Sequence, residues 1–456
     1  MRKRIRQNVP QKTAAPAARD AEPARLVQIE KPVVQIEKPI YGGAFLARVE
    51  GQATFVPLTL PGEQARVRIV EEKRGYATAE AEEIVAPSPQ RTAPTCRHFG
   101  ACGGCQYQHA DYESQLEFKQ AILRETLERG GVGAPEEIAV LAGEPWAYRN
   151  RIRLAFDVAG NPGYRARRSH ATIAIAECPI AAPLLVRAAL AAAEILRDQH
   201  LGLRAKEIAL FCDAEEGALL VSVVKEGAAK GSFDDFAKAL AGRIPELKGA
   251  ELLVEGRNGE SARRGAQWGA SSLLYRAAGF DYRVDHGAFF QVNRWLVDAL
   301  AECVTEGMHG GLAWDLFAGV GLFARRLAQQ FERVVAVESA LAATKALTEN
   351  LKGTNATAVK AATLDFLRGA AKREQSAEGT PDLIVVDPPR TGLGAETTEL
   401  LARIGAPALT YVSCDPATLA RDVKALVGAG YVIEGVTLAD LFPQTFHLET
   451  VVKLRR

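Results

Sequence analysis

The sequence predicts a multidomain protein: an N-terminal OB-type β-barrel, an α+β central domain, and a C-terminal α/β domain built on a doubly wound sheet. Three observations carry this. Between Pro39 and Ala86, short runs of alternating apolar and polar residues are separated by Gly-containing turns at Gly42-Gly43, Gly51, Pro61-Gly62 and Gly75, the signature of a small barrel. From Gly311 onward, strand-like runs alternate with helical ones, which argues for a parallel sheet wound on both faces. Between these regions, four of the seven cysteines fall at positions 96, 102, 105 and 178 in a stretch of mixed helix and strand.

Composition bounds the function. At roughly 100–200 residues per domain, 456 residues suffice for several domains with their own cores. The 56 basic and 55 acidic side chains leave a net charge of +1, which argues against a surface that coats polyanions but not against a local basic face. The most apolar stretch, Ile180 to Leu196, is broken by Pro183 and Arg187, so no membrane span is expected. Met1 to Pro10 is basic without a following apolar run, so no secretory signal is expected and the protein reads as cytoplasmic. Seven cysteines, an odd number, suit reduced thiols, a metal site or a nucleophile rather than a disulfide scaffold.

Element by element, residues 1–26 read as a disordered basic leader, rich in Ala, Pro, Arg and Lys without hydrophobic period. VQIEKP at Val27–Pro32 recurs at Val34–Pro39, a local duplication too short for a solenoid. Residues 27–86 carry the barrel, with strands expected near Phe45–Val49, Ala53–Val56, Ala65–Val70 and Tyr76–Val85. Pro87 and Pro89 then mark a linker, and residues 87–284 form the central domain. It comprises a cysteine loop, a helix near Tyr112–Glu128, an arginine-rich hairpin over Arg149–Ser169, a helix near Pro183–Arg197, and strands at Ile208–Cys212 and Ala218–Val224. Residues 285–456 form the C-terminal domain, with strands ending near Phe317, Glu338, Asp387 and Ser413 and a late pair near Val432 and Thr450.

The chemistry concentrates at the strand ends. DLFAGVGLF (Asp315–Phe323) places Gly319 and Gly321 between a strand and a helix, where a backbone can approach a ligand closely. Seventeen residues beyond Gly321, Glu338 ends the strand VVAVE, where its carboxylate can accept from ribose hydroxyls. The loop is not GxGxxG and holds no basic residue for a pyrophosphate, which favours S-adenosylmethionine over NAD. DPPR (Asp387–Arg390) and SCDP (Ser413–Pro416) end two further strands and should face the same crevice. Methylation of a pyrimidine at C5 needs a nucleophile at C6 to make C5 carbanion-like, a role suited to the Cys414 thiolate. A base must later take the C5 proton, and Glu449 is the candidate.

Taken in order, FFQVN (Phe289–Asn293), DLFAGVGLF, DPPRTG, SCDPATLARD and DLFPQTFHLE resemble the RNA uracil-5-methyltransferase family from about Pro39 to the C-terminus. The resemblance implies a TRAM-type barrel, a central domain and a Rossmann-like methyltransferase domain. It matches Cys414 to the family nucleophile and Glu449 to the base. Gln291, Phe317, Glu338 and Asp387 match positions that bind the methyl donor or hold the uracil, and Phe289 matches an aromatic that stacks on an extruded base. Ala288, Ala318 and Leu322 depart from residues common in the family without touching this chemistry. Asp365 is the substitute for an expected adenine contact.

Cys96, Cys102, Cys105 and Cys178 form C-x5-C-x2-C plus a distant fourth thiol. Four thiolates suit zinc or a 4Fe-4S cluster; zinc ribbons favour two close pairs, and a three-plus-one arrangement favours iron and sulfur. The resemblance also implies 4Fe-4S, in a supporting rather than redox role. Arg149, Arg151, Arg153, Arg165, Arg167 and Arg168, against Asp157 and with Tyr148 and Tyr164 interleaved, suit phosphate and base contacts. Arg149, Arg151 and Arg165 are the chosen RNA contacts. The reading is a monomeric RNA methyltransferase making 5-methyluridine, in large-subunit ribosomal RNA ahead of transfer RNA. Its rivals are a noncatalytic RNA-binding factor and an iron-sulfur oxidoreductase.

Overall fold

The computed structural model describes residues 31–197, 202–225, 231–254, 263–372 and 379–456. The leader and the first VQIEKP copy lie almost wholly outside them. The second copy supplies two short strands, Val33–Gln35 and Lys38–Ile40, that end a six-stranded sheet. Although they occupy opposite ends of the strand order, they are separated only by Ile36 and Glu37. The sheet therefore curls on itself around Ile36, Phe45, Val56, Leu60 and Val67, all buried.

The central sheet has seven strands in the order Thr172–Ala174, Pro162–Arg165, Arg151–Phe156, Ala205–Cys212, Leu219–Lys225, Leu247–Val254 and Arg263–Gly269. The period-two alternation of a strand sorts its residues onto two faces. Ile152, Leu154, Ile208, Leu210, Val221 and Val223 pack beneath the helices Pro183–Leu196 and Phe233–Arg243. Arg151, Arg153, Phe211 and Ser222 point to the opposite face.

The C-terminal sheet runs Ala356–Lys360, Phe331–Glu338, Gly310–Leu316, Leu383–Val386, Ala408–Ser413, Glu449–Arg455, Val432–Ala439 and Ala139–Leu141. Its first five strands are parallel, and Glu449–Arg455 enters antiparallel. The strand order reverses between Gly310–Leu316 and Leu383–Val386, so a crevice opens beyond Leu316 and Val386, where open α/β sheets take ligands.

A division at residue 285 does not describe this sheet. Ala139–Leu141 closes its edge by pairing with Val432–Ala439. The helix Tyr112–Arg129 shares a core with the helix Pro416–Gly428 through Ile122, Leu123 and Leu127. The hairpin Ser272–Ala277/Phe280–Asp285 buries Tyr275 and Tyr282 beside Phe290 in the same domain's other core. The cores join segments far apart in sequence, because burial rewards contact irrespective of chain order.

Helix Tyr112–Arg129 begins at Asp111, whose side chain accepts from Ser114 N–H at 2.8 Å, a Ser/Asp-type N-cap. Its inward face carries Gln115, Phe118, Lys119, Ile122 and Leu123. Lys119 is fully buried and its Nζ donates to Asp440 Oδ1 at 2.5 Å and to the Phe442 carbonyl at 3.0 Å. Tyr112 donates to the other Asp440 oxygen at 2.9 Å. Removing one partner of a buried ion pair strands the other, at a cost of roughly 3–5 kcal/mol. Lys119→Met is therefore expected to lower the urea midpoint sharply, whereas Lys119→Met combined with Asp440→Leu recovers much of the loss; equal loss in both would show that the pair is not coupled.

Candidate active site and cysteine cavity

Four strand ends converge on the crevice. The register pairs Ser413 with Thr450, so the next step of the antiparallel ladder sets Cys414 against Glu449. Cys414 immediately precedes the helix Pro416–Gly428, whose cap Asp415 accepts from Thr418 N–H at 2.9 Å. Glu449 is buried. Burial first, then the charges of Glu449 and Asp387, push the Cys414 thiol up to about 11, with Arg390 opposing. Burial, then Asp387, raises the Glu449 carboxyl well above the usual range. Burial holds Asp387 up at about 7. The crevice favours neutral acids and a protonated thiol, because two carboxylates and a thiolate in one dry site repel one another.

On the donor side, Phe317 adopts a left-handed backbone at φ 66°, and Gly319 and Gly321 follow at 56° and 96°. A Cβ at Gly321 would come within 2.8 Å of Leu347 Cδ1, whereas a Cβ at Gly319 would meet nothing within 4 Å. Packing against Leu347 favours glycine at 321, whereas the side of Gly319 is open. Gly319 N–H donates to Glu338 Oε2 at 3.0 Å, and Ser339 and Ala340 N–H donate to Oε1. Three backbone donors hold this carboxylate while lone pairs remain for ribose hydroxyls. Asp365 is exposed and pairs with Arg368 at 3.2 Å.

Gln291 is buried, and its carbonyl accepts from Asn150 Nδ2 at 2.9 Å. Phe289, two residues away, is 56 % exposed, an aromatic face open to a base. Asn293 donates to the Leu441 carbonyl at 3.2 Å, tying this segment to DLFPQTFHLE. That motif is held throughout: Gln115 exchanges two hydrogen bonds with Gln444, Tyr148 donates to the Pro443 carbonyl, and Arg390 meets His447 Nδ1 at 3.2 Å. From the barrel, Tyr41 packs edge-on against Phe446 at 5.6 Å and lies in the field of Asp415, Arg390 and Cys414. Sequence reasoning missed Asn150, Lys119, Gln115 and Tyr41. Only Lys119 leaves a sequence signal: it is a charge on the apolar stripe of its helix.

Cys96, Cys102, Cys105 and Cys178 line a single cavity of about 240 Å³ together with His98, Arg149, Tyr164 and His447. All four are free thiols, and burial pushes Cys105 up to about 12. Among the described residues, no three His, Cys, Asp or Glu side chains converge on one point as a single bound ion requires. Arg149 lies over the rings of Tyr148 and Phe442, each 5.7 Å away. Arg151 turns to the central sheet's open face, and Arg165 is exposed, donating to the His170 carbonyl at 2.7 Å. The arginines therefore serve different surfaces rather than one. Arg153 pairs with Glu207, and Arg167 pairs with Glu80 of the barrel at 3.5 Å.

A doubly wound sheet with an open glycine turn, a carboxylate held at the next strand end and a thiol–carboxylate pair in the same crevice places these groups where open α/β sheets take ligands. Residues 111–456 match the tRNA (Uracil-5-)-methyltransferase family and residues 33–81 the TRAM domain. The chain belongs to this family and is an RNA uracil-5-methyltransferase. It is 34 % identical over 432 residues to the 23S rRNA (uracil(1939)-C(5))-methyltransferase RlmD of Halomonas elongata, covering 91 % of this chain and 87 % of that one. To the protein of the same name from Pseudomonas entomophila it is 33 % identical, over 90 % of each chain. Among solved structures it resembles the tRNA (uracil-54, C5)-methyltransferase of Pyrococcus abyssi in complex with S-adenosyl-L-homocysteine, with TM-score 0.74, 26 % identity, and 93 % and 100 % of the two chains covered. No described helix is long and apolar enough to cross a membrane.

Asp315 allows a pH test of the donor side. Its carboxyl is fully buried, one oxygen accepts from Ala324 N–H at 2.8 Å, and the other has no partner. Burial, then the charges of Asp387 and Glu338, raises it from 3.8 to about 7. The folded state resists ionisation, so stability is unaffected below pH about 4, falls as pH rises toward 7, and stays reduced above, by roughly 4 kcal/mol. Asp315→Asn is expected to raise the melting temperature at pH 8 and leave it unchanged at pH 4; a gain of equal size at both values would show that ionisation is not the cause.

Proposed function

We propose that this protein methylates C5 of a uridine in 23S ribosomal RNA, at the position for which its Halomonas and Pseudomonas relatives are named, acting as a cytoplasmic monomer. The observation that carries the chemistry is the register setting Cys414 against Glu449, with Asp387 beside them. Cys414 gives its thiol proton to solvent, its sulfur adds to C6 of the extruded uracil, and electron density moves to C5. A neutral Asp387 carboxyl supports this by donating to a uracil carbonyl. S-adenosylmethionine supplies the electrophilic methyl group and leaves as S-adenosylhomocysteine. Glu449, having likewise lost its proton to solvent, then removes the C5 proton, and the C6–S bond breaks as the C5–C6 double bond re-forms, returning the thiolate, which takes a proton back from solvent. A base whose ionisation is disfavoured by burial is a strong acceptor once ionised. Gln291, Phe317, Gly319, Gly321 and Glu338 hold the methyl donor, Phe289 stacks on the flipped base, and Arg151 and Arg165 meet the RNA, while Arg149 serves the cysteine cavity.

The four cysteines line one cavity, and their three-plus-one spacing suits a 4Fe-4S cluster better than the two close pairs of a zinc ribbon. Cys96, Cys102, Cys105 and Cys178 would hold the cluster, and Arg149 at its wall would offset the negative charge of the thiolates. Bound there, it would brace the cysteine loop against the arginine hairpin. The extensive likeness to a transfer-RNA enzyme keeps transfer RNA as the second reading.

Label from methyl-tritiated S-adenosylmethionine is expected to enter 23S RNA and not transfer RNA; the reverse would replace the substrate. Cys414→Ala abolishes transfer, and Glu449→Gln accumulates a gel-stable protein–RNA adduct, since the proton that permits release stays on C5. Full transfer by Cys414→Ala would end the covalent mechanism. Anaerobically purified protein should contain about four irons and four sulfides per chain, reduced by Cys105→Ser; zinc without iron would refute the cluster.

A further inference from the structure

The face of the central sheet opposite its helices is a groove of about 870 Å³, lined by residues that include Arg151, Phe211, Ser222, Glu251 and His286. Most of its charges are matched. Arg153 pairs with Glu207, Glu251 with Arg264 at 2.9 Å, and Asp285 with Arg283 at 2.7 Å. Arg151 is different. Its guanidinium lies 4.3 Å from the centre of the Phe211 ring, no ion pair to it occurs among the described residues, and its Nε is buried without a hydrogen-bond partner. His286 closes the same groove with Nδ1 3.2 Å from Ser222 Oγ; its Nε2 is buried with no close hydrogen-bond partner, and the ring also lies in reach of the Ala270 backbone and the Glu251 carboxylate.

An unpaired cation and an unsatisfied imidazole in one cleft are each costly without a partner. A ligand that relieves both must bring an anion and a polar edge. One chain segment links the groove to two candidate site residues. Gly287 and Val292 line the groove, and Phe289 and Gln291 lie on the same segment, which spans at most about 18 Å. Asn150, between Arg149 and Arg151, anchors that segment through the Gln291 carbonyl.

We propose that this groove is a second nucleotide subsite: a nucleotide near the target uridine in the same RNA strand places its phosphate on Arg151 and its base edge on His286. An imidazole nitrogen can meet a base edge in either tautomer, accepting from an N–H or donating to a carbonyl. A flanking nucleotide drawn into the groove pulls the strand out of its stack beside Phe289, which assists extrusion of the target. The inference rests on the RNA-methylation reading and adds to it a positional requirement on sequences around the uridine.

The test uses the full chain and a ribosomal RNA fragment containing the methylated uridine, with neighbouring nucleotides replaced one at a time by abasic residues. At one position, base removal is expected to raise KM and Kd for the wild type about tenfold, with kcat unchanged, and to add nothing in His286→Ala. Arg151→Met should weaken binding of every fragment about tenfold and reduce the salt dependence by about one phosphate contact. Additive losses at every position, or an unchanged salt dependence, would overturn the subsite. Because Arg151→Met deletes an unpaired buried charge, it should melt no lower than the wild type; a lower melting temperature would give the guanidinium to the fold and overturn the proposal. Binding is read without catalysis, so protein that shows these dependences but transfers no methyl group would keep the subsite and refute the function.

Discussion

Lys119 and Asp440 meet in a space from which water is excluded, and the catalytic motif is organised around that contact. Asp440 begins DLFPQTFHLE; Lys119 and Tyr112 hold its carboxylate, and Lys119 also holds the Phe442 carbonyl. Gln115 fixes Gln444, and Tyr148 fixes Pro443. From there the chain has little freedom before Glu449 enters the sheet beside Cys414. An apolar pair could fill the same volume, but it could not set the direction of this loop, because dispersion contacts are not directional while the lysine and tyrosine each demand a particular oxygen. Buried charge is here a device for register, and it is supplied by a helix that precedes the strands of the central sheet in sequence.

The crevice that results is dry and acid-rich, and this shapes the order of events. A thiol pushed up by burial and neighbouring acids is a poor nucleophile. In the proposed mechanism a seated uracil changes the balance, since it takes hydrogen bonds from the neutral acids and offers the sulfur a carbon to which its charge can pass, so that the nucleophile is activated only when a base is bound. The open side of Gly319 and the three-point hold on Glu338 work in the other sense, prepared in advance, so that the methyl donor meets a surface needing little rearrangement.

Much of this was legible in the sequence. Strands expected to end near Phe317, Glu338, Asp387 and Ser413 do so within a residue, because each is a short, largely apolar run; Leu383–Val386 stops at Asp387, and Ala408–Ser413 stops just before Asp415-Pro416. The same alternation that marked the barrel returned its strands, and the Arg149–Ser169 hairpin formed where charge alternates with apolar residues. What stayed hidden has a common cause. Ala139–Leu141 is too short to show a period, and only the edge of a distant sheet makes it a strand. Asn150 and Tyr41 look like ordinary polar residues until the fold brings Gln291 and Cys414 to them. The six arginines read as one basic face, yet Arg149 turned to the cysteines, Arg167 to Glu80, and Arg153 to Glu207, since side-chain direction depends on strand register that composition does not encode.

That dispersal changes the meaning of the near-zero net charge. The acidic run of the barrel is engaged: Glu80 with Arg68 and Arg167, Glu82 with Lys31, Glu83 with Arg66. Such pairs cancel at a distance and leave little long-range field. On the proposed subsite, an approaching polyanion meets Arg151 in a groove beside the segment that carries Phe289. Affinity built this way would grow only when the strand is unstacked and threaded, because a regular helix cannot lower a phosphate into the cleft. Discrimination would then come from the deformability of the RNA around the uridine, and the product would leave once its strand restacks.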